Sequence, residues 1–431
     1  AGRARRNGVR ALGGRRSSPA WGGTVTEPAT IAFDPTSAEQ REDPFTVLAH
    51  ARREQPVFFA PELRLWVVTR HDDVLTVLKD HRTFSSVGAL TSATAEREPE
   101  VTEILAGGHP EMPYIIEVDP PLHDRIRGLV ARAFTPRRIE ALEPRIEQIA
   151  ADLIDGFAAL GSADIVETFA WPLPLRVLGE LFGFPEDDLV RIHHWGTDWL
   201  LLQQDRPAAE LAGHARGLVE LQRYCVAAVE DRQRRPTDDL LGALVAANDA
   251  SDDPLGVVEI AGLPLDLMVA GHVTVTRAIG STLARLFVEP ALREHLLDPA
   301  LAPKAIEEIL RLESPAQGLF RVTTREVELG GATIPAGARV MAHFASANRD
   351  DCVFADPDAY CPERGDIGNH VAFGKGIHFC IGAPLGRLEL RVALPMLLRR
   401  LPGLRPGAGE PVREPVFFAR GFASLPVAWD T

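Results

Sequence analysis

The alternation of apolar and polar residues predicts that the first part of the chain combines helices with a β-hairpin. Residues 44–54 place apolar side chains at helical spacing, and Asp43 precedes them in a position to cap the helix. Residues 57–59 and 65–69 are rich in aromatic and β-branched residues and flank a Pro-Glu-Leu turn. This arrangement predicts two antiparallel strands, followed by another helix that begins at His71.

The rest of the chain is predicted to be mostly helical. Residues 84–113 show no periodicity, so we expect a long loop there. A helical pattern interrupted by prolines extends over residues 120–312. Short β-like segments follow it: residues 327–329, 339–344, 417–418 and 427–429. We therefore predict a mostly α (α+β) fold in which residues near 60 and near 340 share one sheet, so that residues 31–431 form a single domain.

Composition indicates a globular protein in a reducing compartment. Of the 431 residues, 45% are apolar and 25% are charged, which provides ample material for a core. The length alone is typical of about three domains, but a sheet between distant segments favours one. Four cysteines at irregular spacing match neither a disulfide framework nor a zinc site. We therefore expect a cytoplasmic location.

Charge separates an arginine-rich start from an acidic remainder. The formal net charge is −14, although residues 1–24 contain six arginines and no acid. An acidic body argues against nucleic-acid binding, which needs a basic surface. No uninterrupted apolar run is long enough to span a membrane. Residues 1–24 lack the apolar stretch of a secretory signal, so we expect residues 1–30 to be a disordered Arg/Gly-rich extension, with a transit peptide as the alternative.

The most specific chemistry lies in a glycine-rich loop, residues 373–382, that contains one cysteine. Its sequence is Phe-Gly-Lys-Gly-Ile-His-Phe-Cys-Ile-Gly, with the thiol at Cys380. Glycines let the backbone approach a flat macrocycle and adopt φ angles closed to other residues. A helix is predicted just after Cys380, and its positive end, with Lys375 and His378, favours a thiolate. A thiolate can be the axial ligand of a haem iron, whereas an isolated cysteine is more often a small buried apolar residue.

This loop resembles the cysteine signature of the cytochrome P450 family at every fixed position, from Phe373 through the histidine two residues before Cys380 to Gly382. The resemblance implies that Cys380 is the metal ligand of a haem b, and that Phe373, Gly374 and Gly382 surround the haem on the same side. It also implies the cytochrome P450 fold, which has a large helical lobe and a small β-rich lobe, with the haem between distal and proximal helices.

A second group of residues resembles the family's segment that leads to the cysteine loop. Glu308 and Arg311 are three residues apart and share one helical face. On the resemblance, they form with Arg364 a buried charge network that stabilises the region beneath the haem. Removing one partner of such a network strands a charge and costs about 3–5 kcal/mol. We expect this role to be structural and not catalytic.

A third group supplies positive charge for the two carboxylates that a haem carries. In the sequence Asp-Pro-Pro-Leu-His-Asp-Arg-Ile-Arg, residues 119–127, the prolines set a helix start and place His123 and Arg127 on one face. Buried carboxylates must be neutralised, and arginine can do this bidentately. The motif resembles the family's propionate-binding helix, and Arg321 and His378 match its other propionate positions. All four residues are therefore expected to bind the cofactor.

The predicted distal helix contains a departure from the family pattern. Residues 268–276 resemble the oxygen-binding helix, in which Ala270 contacts the haem, Gly271 relieves crowding above it and Thr274 supplies the catalytic alcohol. This threonine can hydrogen-bond a local carbonyl and open the helix. The acid that usually precedes the threonine is replaced by Val273, which weakens the standard proton relay.

Three explanations for Val273 are open. Protons can arrive through Thr274 and water or through substrate hydroxyls, which is the explanation we favour. His272 or another polar group can substitute for the acid, although we expect His272 to point away from the pocket. The third explanation is a peroxide-driven or atypical reaction.

The resemblance covers residues 43–430 and implies insertion of one oxygen atom from O2 into a lipophilic small molecule, for which we expect a terpenoid- or polyketide-like natural product of secondary metabolism. Two residues follow Trp429, which leaves no room for a reductase domain, so electrons are expected from NAD(P)H through a separate ferredoxin or flavodoxin and its reductase. A non-catalytic haem-binding sensor is the alternative from another class. We expect a soluble monomer.

Two surfaces are expected to meet these partners. An arginine run is the expected docking patch for an acidic electron carrier, with a solvated helix face as the alternative. Its members are Arg125, Arg127, Arg132, Arg137 and Arg138, with Lys375 and Arg387 nearby. The substrate pocket is expected to be walled by residues 84–116, 190–215, 317–320 and 421–422, with Val269, Ala270 and Val273.

Overall fold

Helices dominate the residues that the computed structural model describes, which are 31–90, 98–202 and 207–431. Within these ranges the helices are α1 (Ala38–Glu42), α2 (Phe45–Glu54), α3 (His71–Lys79), α4 (Pro99–Ala106), α5 (Leu122–Ala133), α6 (Pro136–Glu140), α7 (Glu143–Phe157), α8 (Pro172–Phe182), α9 (Glu186–Leu201), α10 (Ala208–Arg234), α11 (Leu240–Asp249), α12 (Val257–Leu286), α13 (Ala291–Leu297), α14 (Ala302–Glu313), α15 (Phe344–Ala347) and α16 (Ala383–Arg400). The predicted extension, residues 1–30, lies outside the described residues.

The strands are short and come from both ends of the described chain. They are β1 (Val57–Ala60), β2 (Leu65–Val68), β3 (Phe84–Ser85), β4 (Ser162–Asp164), β5 (Gly318–Thr323), β6 (Val327–Leu329), β7 (Ala332–Ile334), β8 (Arg339–His343), β9 (Arg405–Pro406), β10 (Val412–Arg413), β11 (Phe422–Ser424) and β12 (Pro426–Ala428). The mostly helical α+β class is therefore confirmed.

The main sheet joins segments that are far apart in sequence. Its five strands lie in the order β1-β2-β8-β5-β3. The predicted hairpin is present, with Val57 opposite Val68, and β2 continues the sheet by pairing parallel with β8, Trp66 opposite Val340. Residues near 60 and near 340 thus share one sheet, as predicted.

The core surrounds α12, a helix of 30 residues that packs against α8, α9, α10 and α16. Among the described residues, α12 is the one helix long and apolar enough to cross a membrane, yet 56% of its apolar window is buried inside the protein. Buried helices of soluble cores commonly have this composition. The described residues from Ile31 to Thr431 group into one compact unit around this core.

Two predictions of local structure were wrong. The expected loop over residues 84–113 contains β3 and α4, and α4 is fixed by burying Val101 against α10, a tertiary contact that periodicity cannot show. Residues 417–418 form a turn and not a strand. The rings of Phe417 and Phe418 pack 5.8 and 6.1 Å from the ring of Phe320, so their aromatic character reflects packing.

Candidate functional site

The cysteine loop is closed by an internal hydrogen bond and packs against the end of α3. The backbone N–H of Cys380 donates to the carbonyl of Phe373 at 2.9 Å, which closes the loop. Gly374 and Gly376 have φ of +67° and +74°, a region that side chains rarely adopt. A Cβ at Gly376 would lie 2.3 Å from the carbonyl oxygen of Leu78, so only glycine lets the loop pack against the end of α3.

The thiol of Cys380 lies at the start of α16. Burial raises its pKa, while the backbone N–H groups of Gly382 and Ala383 and the charge of Arg127 lower it to a lesser extent. The N–H groups and Arg127 thus favour the thiolate, as predicted. Burial outweighs them, however, so the pKa of the thiol is raised and not lowered, which corrects the expectation. Metal ligation deprotonates such a thiol outright. A Cβ at Gly382 would lie 3.9 Å from the sulfur, an ordinary van der Waals contact, so Gly382 lies directly beside Cys380.

The four residues predicted to bind the haem carboxylates lie together. The rings of His123 on α5 and His378 in the cysteine loop are 4.5 Å apart, and His378 Nε2 lies 2.9 Å from the hydroxyl of Ser86. Burial, followed by the charges of Arg321, His123 and Arg127, lowers the pKa of His378 to about 3. The Arg127 guanidinium donates to the carbonyl of Phe379 at 2.6 Å.

Two buried polar atoms of this cluster have no hydrogen-bond partner among the described residues: His123 Nε2 and Arg321 Nη2. His123 and Arg321 are each 2% exposed, and burial lowers the pKa of Arg321 to about 10 despite the charge of Asp119. That acid is already bound by the hydroxyl of Ser85 and the backbone N–H of Ser86. A stranded buried donor costs about 1–3 kcal/mol, so the cluster fits an anionic group such as the carboxylates of a haem.

The distal helix α12 passes directly over α16. The side chain of Val275 would lie 3.6 Å from a Cβ at Gly386, six residues after Cys380. The Thr274 hydroxyl donates to the carbonyl of Ala270 at 2.9 Å, as predicted. Ala270 is exposed although most of α12 is buried, so this face of the helix borders an open space.

Two residues near Thr274, Gly271 and His272, face neighbouring segments of the protein. A Cβ at Gly271 would meet Leu178 of α8 at 3.1 Å, so this glycine allows α8 to approach α12. The prediction that Gly271 relieves crowding over the haem is therefore corrected. His272 Nε2 lies 3.1 Å from the carbonyl of Trp171 and must carry the proton of that hydrogen bond, while burial lowers the pKa of His272 to about 3. His272 is a neutral side chain bound away from Thr274, in agreement with expectation.

The charge network predicted around Glu308 is present and buried. The two carboxylate oxygens of Glu308 accept from Arg311 at 2.8 Å each and from Arg364 at 3.0 and 3.1 Å. The backbone N–H of Cys361 donates to the same carboxylate at 2.9 Å. Glu308 and Arg311 are completely buried, so the network ties α14 to the segment that leads to the cysteine loop.

Glu307 binds residues on either side of the cysteine loop, which sequence reasoning did not identify. Its carboxylate accepts from Arg387 of α16 at 2.6 and 2.8 Å and lies 2.9 Å from His370 Nε2. Although burial opposes it, hydrogen bonding from Arg387 and His370 lowers the pKa of Glu307 to about 2. The Arg387 guanidinium also lies 4.2 Å from the ring centre of Phe373. The available sequence signal was the position of Glu307, which directly precedes the predicted network residue Glu308.

Ion pairs neutralise several arginines in and beside the predicted docking patch. Arg387 is neutralised by Glu307, and Arg125 and Arg138 pair with acids of neighbouring segments at 2.7 and 3.4 Å. Arg132 and Arg137 are exposed, and they pair with no acid among the residues that the structure describes. These two residues retain the charge that a docking surface requires.

The fold and this site define a haem-thiolate enzyme, and the comparisons agree: residues 300–411 match the cytochrome P450 family model. The chain belongs to the cytochrome P450 family and is a cytochrome P450 monooxygenase. It is 38% identical over 411 residues to cytochrome P450 107B1 of Saccharopolyspora erythraea, covering 93% of this chain and 98% of that protein.

Two further relatives support the same assignment. The mycinamicin IV hydroxylase/epoxidase of Micromonospora griseorubida is 39% identical over 372 residues, covering 84% of this chain and 89% of that protein. The solved structure of CYP109Q5 from Chondromyces apiculatus superposes with a TM-score of 0.83 at 36% identity, covering 93% of this chain and 99% of that chain. The cytochrome P450 fold predicted from the sequence is thus confirmed.

Proposed function

We propose that this enzyme inserts one oxygen atom from O2 into a lipophilic natural product, using haem b and electrons from NAD(P)H delivered by a ferredoxin or flavodoxin. The observation that carries the proposal is the cluster beside Cys380 with two unpartnered buried nitrogen atoms, His123 Nε2 and the cationic donor Arg321 Nη2. A bound haem supplies the activation of dioxygen. The mycinamicin IV relative acts on a natural product, which supports the substrate class.

Each predicted site residue except Gly271 has a place in this proposal. His123, Arg127, Arg321 and His378 bind the haem carboxylates. Cys380 is the metal ligand, and the loop residues Phe373, Gly374 and Gly382 lie on its side. Ala270, exposed on α12, would also contact the cofactor.

Thr274 would handle protons on the distal side. Because its hydroxyl hydrogen is donated to the carbonyl of Ala270, its oxygen is free to accept a hydrogen bond from water or from a substrate hydroxyl. The side chain of Val273 has no ionisable group, and the imidazole of His272 is hydrogen-bonded to the carbonyl of Trp171. Proton delivery through Thr274 and water therefore stays the favoured explanation.

We also propose a cytoplasmic monomer that receives its electron carrier at the surface around Arg132 and Arg137. An exposed cationic patch on an otherwise acidic protein attracts an acidic partner in a salt-dependent way. Lys375 of the cysteine loop would extend this surface.

Thr274→Ala tests the proposed reaction. With a surrogate ferredoxin pair, we expect NADPH consumption to continue while product formed per NADPH falls by about 10-fold or more. The matched control is Thr276→Ala, because Thr276 donates to the carbonyl of His272 in the same way but is buried. Equal coupling in the two variants would contradict the role of Thr274. Turnover with hydrogen peroxide and no reductase would favour the peroxide-driven alternative, and absence of substrate-dependent NADPH consumption would favour the sensor.

A further inference from the structure

A buried acid on α12, Asp266, has no part in the site described above. Asp266 is 5% exposed, and one of its carboxyl oxygens, Oδ2, accepts a hydrogen bond from the backbone N–H of Ile115. Ile115 begins a short 3-10 helix, Ile115–Glu117, in the segment that leads to α5. This segment packs closely on α12, since a Cβ at Gly262 would lie 2.2 Å from the carbonyl oxygen of Pro113. The carboxyl group is thus fixed between α12 and the segment before α5.

The second carboxyl oxygen of Asp266, Oδ1, has no hydrogen-bond partner among the residues that the structure describes. The hydrogen bond from Ile115 reaches Oδ2 and leaves Oδ1 unused. Oδ1 also keeps accessible surface, because the fully enclosed polar atoms without a partner belong to other residues. A nearly buried polar atom without a partner costs free energy, so a ligand that reaches Oδ1 and hydrogen-bonds to it is favoured there.

Asp266 lies on the face of α12 that borders the open space. Ala270 follows it by four residues and Val273 by seven, so the three side chains lie within about 60° of one another around the helix axis. Ala270 is exposed, and Val273 and Thr274 are half-buried. Thr274 follows Asp266 by eight residues, which is about 12 Å along the axis. The two polar side chains therefore lie at opposite ends of an apolar stretch of one wall.

The surroundings of Asp266 favour the neutral acid. Burial raises the pKa of Asp266 well above its ordinary range; the N–H of Ile115 opposes this rise, and the charge of Glu117 adds to it. No cation of the described ranges offsets these effects. Because Ile115 donates to Oδ2, the proton of the acid belongs on Oδ1, from which it can be donated.

We propose that Asp266 is a specificity-determining residue that donates a hydrogen bond from Oδ1 to an ether, carbonyl or hydroxyl oxygen of the substrate. This assignment rests on the proposed function, since it needs a lipophilic substrate between α12 and the segment before α5. The substrate class then narrows to an uncharged lipophile whose oxygen lies about 12 Å along α12 from the end oxidised beside Thr274. A buried polar group that a substrate oxygen must satisfy discriminates against analogues that lack this oxygen.

Imidazoles that carry long chains test this assignment without turnover, because the imidazole binds the haem iron and shifts its optical spectrum. The chains have octyl, decyl or dodecyl spacers that end in a methoxy group, and each is compared with the all-carbon chain of the same length. An ether oxygen only accepts hydrogen bonds, so it gains from a protonated acid and not from a carboxylate.

The quantity measured is the dissociation constant of the ether divided by that of the all-carbon chain. We expect Asp266→Leu to raise this ratio about 10-fold at one spacer length, because the ether then enters the pocket without a donor. Asp266→Asn keeps an N–H donor and should leave the ratio unchanged. The matched control is Thr282→Val, which also removes a buried hydroxyl from α12, in this case one bound to the carbonyl of Ala278. It should not change the ratio either.

The alternative outcomes are distinct. If Asp266 only holds Ile115 in place, Asp266→Leu changes both dissociation constants by the same factor, which overturns the proposal. Tighter binding of a chain that ends in an amine, lost in Asp266→Asn, would show a carboxylate and would also overturn it. A native protein whose spectrum neither probe shifts would contradict the haem assignment and this proposal together, whereas normal shifts with equal ratios in all variants would contradict the role of Asp266 alone.

Discussion

Replacing Glu308 by glutamine should strongly destabilise the protein, because Glu308 is the common anion of a buried charge network. The carboxylate of Glu308 accepts hydrogen bonds from Arg311, Arg364 and the backbone N–H of Cys361. Glutamine keeps the shape but removes the charge, and its NH2 group faces guanidinium donors. Two buried cations are then left without their common anion.

The expected loss follows from this burial. Breaking a buried ion pair from one side costs about 3–5 kcal/mol. With about 2.1 cal/mol/K of unfolding entropy per residue over roughly 400 residues, this corresponds to a fall of about 4–6 °C in the melting temperature. Thermal unfolding followed by circular dichroism measures it, and the exposed Glu326→Gln serves as the control. A melting temperature for the Glu308 variant equal to that of the control would refute the reasoning.

Three further predictions concern the site. Cys380→His should move the absorbance of the reduced carbonyl complex from the thiolate to the histidine position, and an unchanged spectrum would exclude Cys380 as ligand. Arg321→Gln should lower the haem-to-protein ratio after gel filtration, because an unpartnered buried donor is lost, whereas Arg399→Gln should not. Glu307 has a pKa lowered from 4.5 to about 2 in the folded protein, so its stabilisation is complete above about pH 5 and is lost as pH falls from 4.5 towards 2. Urea unfolding of Glu307→Gln and the native protein across this range should show a shrinking difference; a constant one would contradict the assignment.

Local spacing predicted the parts of the site that are close in sequence. The ten-residue cysteine loop closes on itself through the hydrogen bond between Cys380 and Phe373, so its pattern specifies its geometry. His123 and Arg127 share a face of α5 because four residues make about one helical turn. Arg321 lies on a distant strand, and it could be assigned only through the family resemblance.

The wrong predictions concern positions whose role is set by contacts with residues that are distant in sequence. Nothing in the sequence around Gly271 shows that Leu178 will fill the space in front of it. Arg387 and Glu307 are 80 positions apart in sequence. Their ion pair neutralises an arginine that was predicted to lie beside the docking patch. The stabilising contact of α4 with α10 is likewise invisible to periodicity.

The parallel pairing of β2 with β8 has a consequence for synthesis of the chain on the ribosome. About 275 residues separate Val68 from His343, so the partner of β2 emerges long after the N-terminal hairpin. At about 5–20 residues per second, the edge of β2 waits roughly 14–55 s for its neighbour. During that interval it presents unpaired backbone groups, the usual template for association with other chains. A nascent chain of this protein is therefore expected to depend on chaperones until the strand near residue 340 has been made.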